Sequence, residues 1–163
     1  MFGAAQTHGG FLRNNLGREG PGSLKMQLSL IEAFGKFGSK PKDRLRALSA
    51  MADDGAMVLN CSPAYFGHPE QGVLRYEDRL SREAATTKRA ELLSQHLTLA
   101  RDAALPVRMI VTSAESRKKG GGGCHVRSDL IGKVVKFDGD HFIVDFTRLP
   151  GVGKQPPVAR RSR

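Results

Sequence analysis

Apolar residues recur along the chain with two periods, and the switches between them predict most of its elements. In SLKMQLSLIEAF, residues 23–34, Leu24, Leu28 and Ile31 fall at helical spacing, with Met26, Leu30 and Phe34 on an adjoining stripe and Ser23 placed to cap. This predicts a first helix, ended by GKFGSKP with Gly35 and Gly38 as candidate terminal glycines. The next stretch, SKPKDRLRALSAMADDG, predicts a second helix: Ser39 or Lys40 at the cap, Pro41 in the first turn, Leu45, Leu48 and Met51 or Ala52 on one face, and Gly55 as the stop. AMVLNCS then reads as a buried strand from Ala56 to Cys61, PAYFGHPEQG as a loop, and GVLRYEDRL, with Leu74, Tyr76 and Asp78 alternating against Val73, Arg75 and Glu77, as an exposed or edge strand.

The clearest helix is TTKRAELLSQHLTLARDAA, residues 86–104. Thr86 or Thr87 caps it, Leu93, Leu97, Ala100 and Ala104 form its stripe, and Ala90 and Leu92 widen the face. Leu105 and Pro106 end it and lead into the apolar strand VRMIVTS, the succession expected of a crossover onto a sheet, with an antiparallel return as the alternative. Last comes LIGKVVKFDGDHFIVDFTRL, two β-branched and aromatic runs around Asp138, Gly139 and Asp140, which predicts a hairpin with Phe142, Val144 and Phe146 on one face. The pattern as a whole predicts an α+β fold, about three helices on a mixed sheet of about five strands. Residues 1–22 read as a flexible glycine-rich basic arm, 23–150 as a single α+β domain with a glycine-rich basic loop at 114–127, and 151–163 as a basic tail.

Composition adds little to that until charge is located. At 163 residues and 39% apolar content the chain suits one core of ordinary size. The start MFGAAQTHGGFLRNN lacks the cationic and apolar regions of a secretory signal, and no apolar run is long enough to span a bilayer, so a cytoplasmic protein with no membrane partner is expected. The net charge of +10 resides in three segments: +3 in residues 1–40, +3 in 114–127 and +4 from Gly151 onward. Residues 41–113 and 128–150 come to +1 and −1. Cations gathered on glycine- and proline-rich pieces suit a polyanion, because each phosphate neutralised releases condensed counterions without requiring a single rigid geometry.

Four chemistries compete for the remaining signals. RKKGGGGCHVRS, residues 117–128, has glycines able to turn backbone N–H groups onto an anion, but its cations precede the glycines and a strand pattern follows, unlike a nucleotide-binding loop. Cys61, His68, Cys124 and His125 are competent zinc ligands on segments that could approach one another, but their spacing is not diagnostic and free thiols, with Cys61 a small core residue, are the default. Asp53, Asp54, Glu70, Glu77 and Asp78 supply carboxylates for a divalent-metal nuclease, though no spacing singles out an active constellation and a solvated surface is the favoured explanation. His96, beside Leu92 and Leu99, reads as a boundary histidine, no serine sits in a nucleophile-elbow setting, and no cofactor motif is present.

The expectation is therefore a small non-enzymatic nucleic-acid-binding protein or nucleoprotein subunit, binding DNA or RNA without a cofactor. Its phosphate contacts are expected from Arg13, Arg18, Arg117, Lys118, Lys119, Arg127, Lys154, Arg160, Arg161 and Arg163, with weak sequence readout. The rivals are a divalent-metal nuclease and an assembly component whose arm and first helix order on a protein partner.

Overall fold

The strand that organises the molecule is the one whose sequence alternates longest. Cys124 to Phe137 form a single 14-residue strand, β6, with Leu130, Gly132, Val134 and Phe137 buried at every second or third position. In the computed structural model, which describes residues 28–82, 87–113 and 123–151, β6 belongs to a seven-stranded sheet. Its other strands are β1 (Ser49–Met51), β2 (Met57–Cys61), β3 (Phe66–Gly67), β4 (Leu74–Arg79), β5 (Val107–Thr112) and β7 (His141–Arg148), in the spatial order β1-β2-β5-β6-β7-β4-β3. Only β2 and β5 run parallel; every other neighbouring pair is antiparallel. β6 pairs with β5 along its first half and with β7 along its second, and register breaks at Val107/Met109 and Val134/Lys136 bend the sheet there.

Two α-helices cover opposite faces. α1 (Leu30–Lys36) starts at a capping box in which the Ser29 hydroxyl accepts from the Glu32 N–H and the Glu32 carboxylate accepts from the Ser29 N–H. It ends in a Schellman turn: Gly38 takes φ +71°, and the Ser39 and Gly38 N–H groups return to the carbonyls of Phe34 and Gly35. Its Ala33 and Phe34 pack with Val58, Ile110 and Cys124 on one face of the sheet. α2 (Lys88–Asp102), capped by Thr87, lays Leu93, Leu97 and Ala100 on the other face, against Met57, Leu59, Met109, Phe142, Val144 and Phe146. Burying one such leucine contributes about 2 kcal/mol. Gly132 is fixed by this packing, because a Cβ there would lie 2.5 Å from the Phe146 ring.

A mixed α and β architecture is thus present, but with two α-helices and seven strands among the described residues rather than three and five. The predicted second helix over 39–54 does not form. Residues 42–46 make a turn in which the Asp43 carboxylate accepts from the Leu45 and Arg46 N–H groups, and Leu45, assigned to the helix's core face, is 79% exposed. Ser49–Met51 instead pair with Met57–Leu59, and Asp53, Asp54 and Gly55 are the hairpin turn, Gly55 at φ +89° and the Asp54 carboxylate accepting from the Ala56 N–H. Long-range pairing with β2 overrides a favourable local helical pattern. The first helix begins at Leu30, with residues 23–27 outside the described segments. The extra strands are β1 and the two-residue β3, which pairs with β4 and so places β4 inside the sheet rather than at its edge. Cys124 to Arg127, assigned to the loop ending at 127, belong to β6 and pair with β5. The strand at β2, the helix at α2, the crossover into β5 and the hairpin β6–β7, with Gly139 at φ +105°, form as expected.

Candidate nucleic-acid interface

The first half of β6 is where the basic segments meet the folded body. Leu28 and Cys124 exchange two backbone hydrogen bonds, at 3.1 and 3.0 Å, so the junction with residues 1–27 lies against the start of β6. The Ser113 N–H donates to the Gly123 carbonyl at 3.3 Å, closing the ends of the 114–122 segment at the same point. At the other side, the Leu149 N–H donates to the Asp129 carbonyl at 2.9 Å, which brings the junction with the C-terminal segment alongside residue 129. The three junctions therefore fall along Cys124–Asp129, a span of about 17 Å for an extended chain.

Arg127 sits in the middle of that span. Its guanidinium donates two hydrogen bonds to Asp129, Nε to Oδ1 and Nη2 to Oδ2, both 2.9 Å. The pairing raises the Arg127 pKa and lowers that of Asp129. Of the ten sequence-predicted phosphate contacts, Arg127 is the one within the described residues, and its fork is already matched to a carboxylate. The other nine, Arg13, Arg18, Arg117, Lys118, Lys119, Lys154, Arg160, Arg161 and Arg163, lie outside the described segments.

Carboxylates elsewhere on the body are engaged in the same way. Asp145 takes both arms of Arg75 at 2.7 and 2.8 Å, Asp140 pairs with Arg79, and Glu77 with His141. Asp78 is the most enclosed: its side chain is 5% exposed and accepts from Tyr76 Oη, the Arg79 N–H and both arms of Arg82. Burial pushes the Tyr76 hydroxyl's pKa well up, which keeps it a donor to Asp78. Five of the described carboxylates, Asp78, Asp102, Asp129, Asp140 and Asp145, are thus paired with arginines of the body itself.

One cationic surface on the body escaped the sequence reading. The turn at 42–46 and the first turn of α2 wall a groove of about 700 Å³, rimmed by Lys42, Arg44, Lys88 and Arg89, with exposed Leu45 between them. Lys42, Arg44 and Lys88 form no ion pair among the described residues. The one acid on the rim, Asp43, is turned to its own backbone, and the Leu45 and Arg46 N–H groups hold its carboxyl below the ordinary range. Ser49, which lines the groove, has its Oγ 2.8 Å from His96 Nδ1 behind it, joining β1 to α2; burial first, then the charge of Lys42, lowers the His96 pKa. The signal was legible in KPKDRLR, where cations at every second position from Lys40 to Arg46 fit a turn or extended segment better than one solvated helix face.

No protein-family model and no curated protein sequence matches this chain.

The metal-site alternatives are not assembled. Cys61 packs on the α2 face of the sheet and Cys124 on the α1 face, so the two thiols cannot share one ion. Burial raises the Cys61 pKa well above the usual thiol range, as suits a core residue. Glu77 and Asp78, adjacent on β4, point to opposite faces, while Asp53 and Asp54 lie on the β1–β2 turn. Among the described residues no group of three or more His, Cys, Asp or Glu side chains is placed to hold a metal. No described helix is long and apolar enough to cross a membrane.

Proposed function

We propose that the protein binds nucleic acid without catalysing its turnover, holding phosphates through the three basic segments that meet the body along β6. The observation that carries this reading is the convergence of the three junctions on Cys124–Asp129. Segments 1–27, 114–122 and 151–163, with charges of +2, +2 and +4 out of the net +10, are rooted along one strand, so their fields add instead of dispersing. The engaged carboxylates of Asp78, Asp129 and Asp145 support it further, because acids already satisfied within the body compete weakly for the arms. Arg127 contributes less than an unpaired cation would, since a phosphate must share its guanidinium with Asp129.

Contacts of this type position a protein on a polyanion and carry no base code. Replacing Lys154, Arg160, Arg161 and Arg163 by alanine is expected to weaken binding to all sequences alike. The slope of log affinity against log salt should fall by about 3, at 0.7 to 0.9 per phosphate contact. Unchanged affinity and slope would reject the assignment.

A further inference from the structure

The groove rim and the junctions of the 1–27 and 114–122 segments lie at the same end of the sheet, with the C-terminal junction at Asp129 further along β6. A row of hydrogen bonds joins them: Asn60 Nδ2 donates to the Ala47 carbonyl at 3.1 Å, Thr112 Oγ1 bonds Asn60 Oδ1, and Thr112 Oγ1 lies 3.5 Å from Cys124 Sγ. Ala47 lines the groove, and Cys124 is the residue against which the N-terminal segment begins. Between them stand β2 and β5, so the separation from β1 to β6 is three strand spacings, about 14 Å. α2 is oriented to suit: its C-terminal end leads into the start of β5, which places Lys88, at its N-terminal end, beside the 42–46 turn.

We infer that this groove is a second phosphate seat, in which a single strand of nucleic acid lies after crossing the end of the sheet from the arms. The inference rests on the nucleic-acid reading above and assigns to it a site on the folded body. Charge complementarity selects a polyanion: Lys42 and Arg44 stand on one wall and Lys88 on the other, with no ion partner among the described residues. Shape selects one strand over two. A groove of about 700 Å³ has room for an unstacked base and sugar, whereas a duplex keeps its bases stacked inside and would meet the groove through its phosphates alone. Leu45, 79% exposed between the cations, offers an apolar contact that a sugar or an unstacked base face satisfies and a phosphate ridge does not.

The test uses the full chain, fluorescently labelled single-stranded RNA, single-stranded DNA and duplex DNA, and a polyglutamate control. The triple variant K42Q/R44Q/K88Q is expected to melt as the parent does, because its side chains are exposed or make no internal ion pair. It should bind single strands about a hundredfold more weakly near 0.1 M salt, with a salt slope smaller by about 2, from 0.7 per contact on a single strand. Duplex binding should change much less. Leu45→Ser should weaken single-strand binding several-fold without altering the slope, and photocrosslinking with thiouridine-containing RNA should label the peptide spanning Lys42 to Ser49. A triple variant that binds single strands with the parent's affinity and slope, while the four-alanine tail variant is weakened, would overturn the groove and leave the arm reading standing. Absence of nucleic-acid binding by the parent chain would overturn both, and polyglutamate binding as tight as that of RNA would reject nucleic acid as the occupant.

Discussion

On the β4–β7 flank, Arg75, Arg79 and Arg82 are each matched to a carboxylate, whereas on the β1 flank Lys42, Arg44 and Lys88 have no ion partner among the described residues. Residues 41–113, which contain most of these positions, sum to only +1, so net charge conceals the difference. Neutrality on the first flank is local, built pair by pair: Arg75 reaches Asp145 across the neighbouring strand, Arg79 reaches Asp140 in the turn before β7, and Arg82 reaches back to Asp78 four residues earlier. On the second it is arithmetic only, and the surface there is cationic. A neutral total therefore does not make a neutral face, and cations that contribute to folding can be told from cations available to a ligand by where their carboxylates are.

If that distinction holds, substitutions on the two flanks should separate cleanly. The largest effect is expected at Arg82→Met, which leaves the Asp78 carboxylate enclosed without its cation and should cost about 3 kcal/mol of stability in denaturant unfolding. A loss below about 1 kcal/mol would place Asp78 in the class of weak surface pairs and erase the contrast. A smaller, pH-dependent effect is expected at His96, behind the groove. Because the His96 pKa is lowered in the fold, the unfolded chain binds the proton more readily, so stability should fall as pH drops below 6.5, its ordinary value. That part of the fall should vanish in His96→Gln, measured above the range in which the carboxylates titrate. The smallest effects are expected at Arg79→Met, whose pair with Asp140 is well exposed, and at the double variant K42Q/R44Q, each within about 0.5 kcal/mol of the parent.

Much of the fold was readable from periodicity where the local and long-range preferences agree. α2 combines a threonine cap with a leucine stripe, and β6–β7 combine branched residues with a Gly139 turn, so the helix and the hairpin form where expected, although β6 starts earlier, at Cys124. The 39–54 segment shows the limit. Leu45, Leu48 and Met51 have helical spacing, but the same residues contain the Asp54–Gly55 turn signal, and pairing with β2 buries Leu48, Ser49 and Ala50 consecutively. A fully buried edge segment carries no alternation for sequence reading to detect. Of the candidate site, the charge segregation was legible and its geometry was not. Nothing in the order of residues reveals that Leu28, Cys124 and Asp129 lie on one strip, because those contacts join positions distant in sequence. The cations of 42–46 were hidden by the helix assigned to them.

On the reading proposed above, the cations left without internal partners serve a polyanion. The most direct test of that reading is the affinity of the full chain for duplex DNA, single-stranded DNA and RNA, measured from about 50 to 200 mM salt with and without divalent metal. The predicted result is binding whose log affinity falls linearly and steeply with log salt, unaffected by EDTA and without cleavage of the nucleic acid. Negligible binding at every salt concentration, or metal-dependent cleavage that EDTA abolishes, would contradict it.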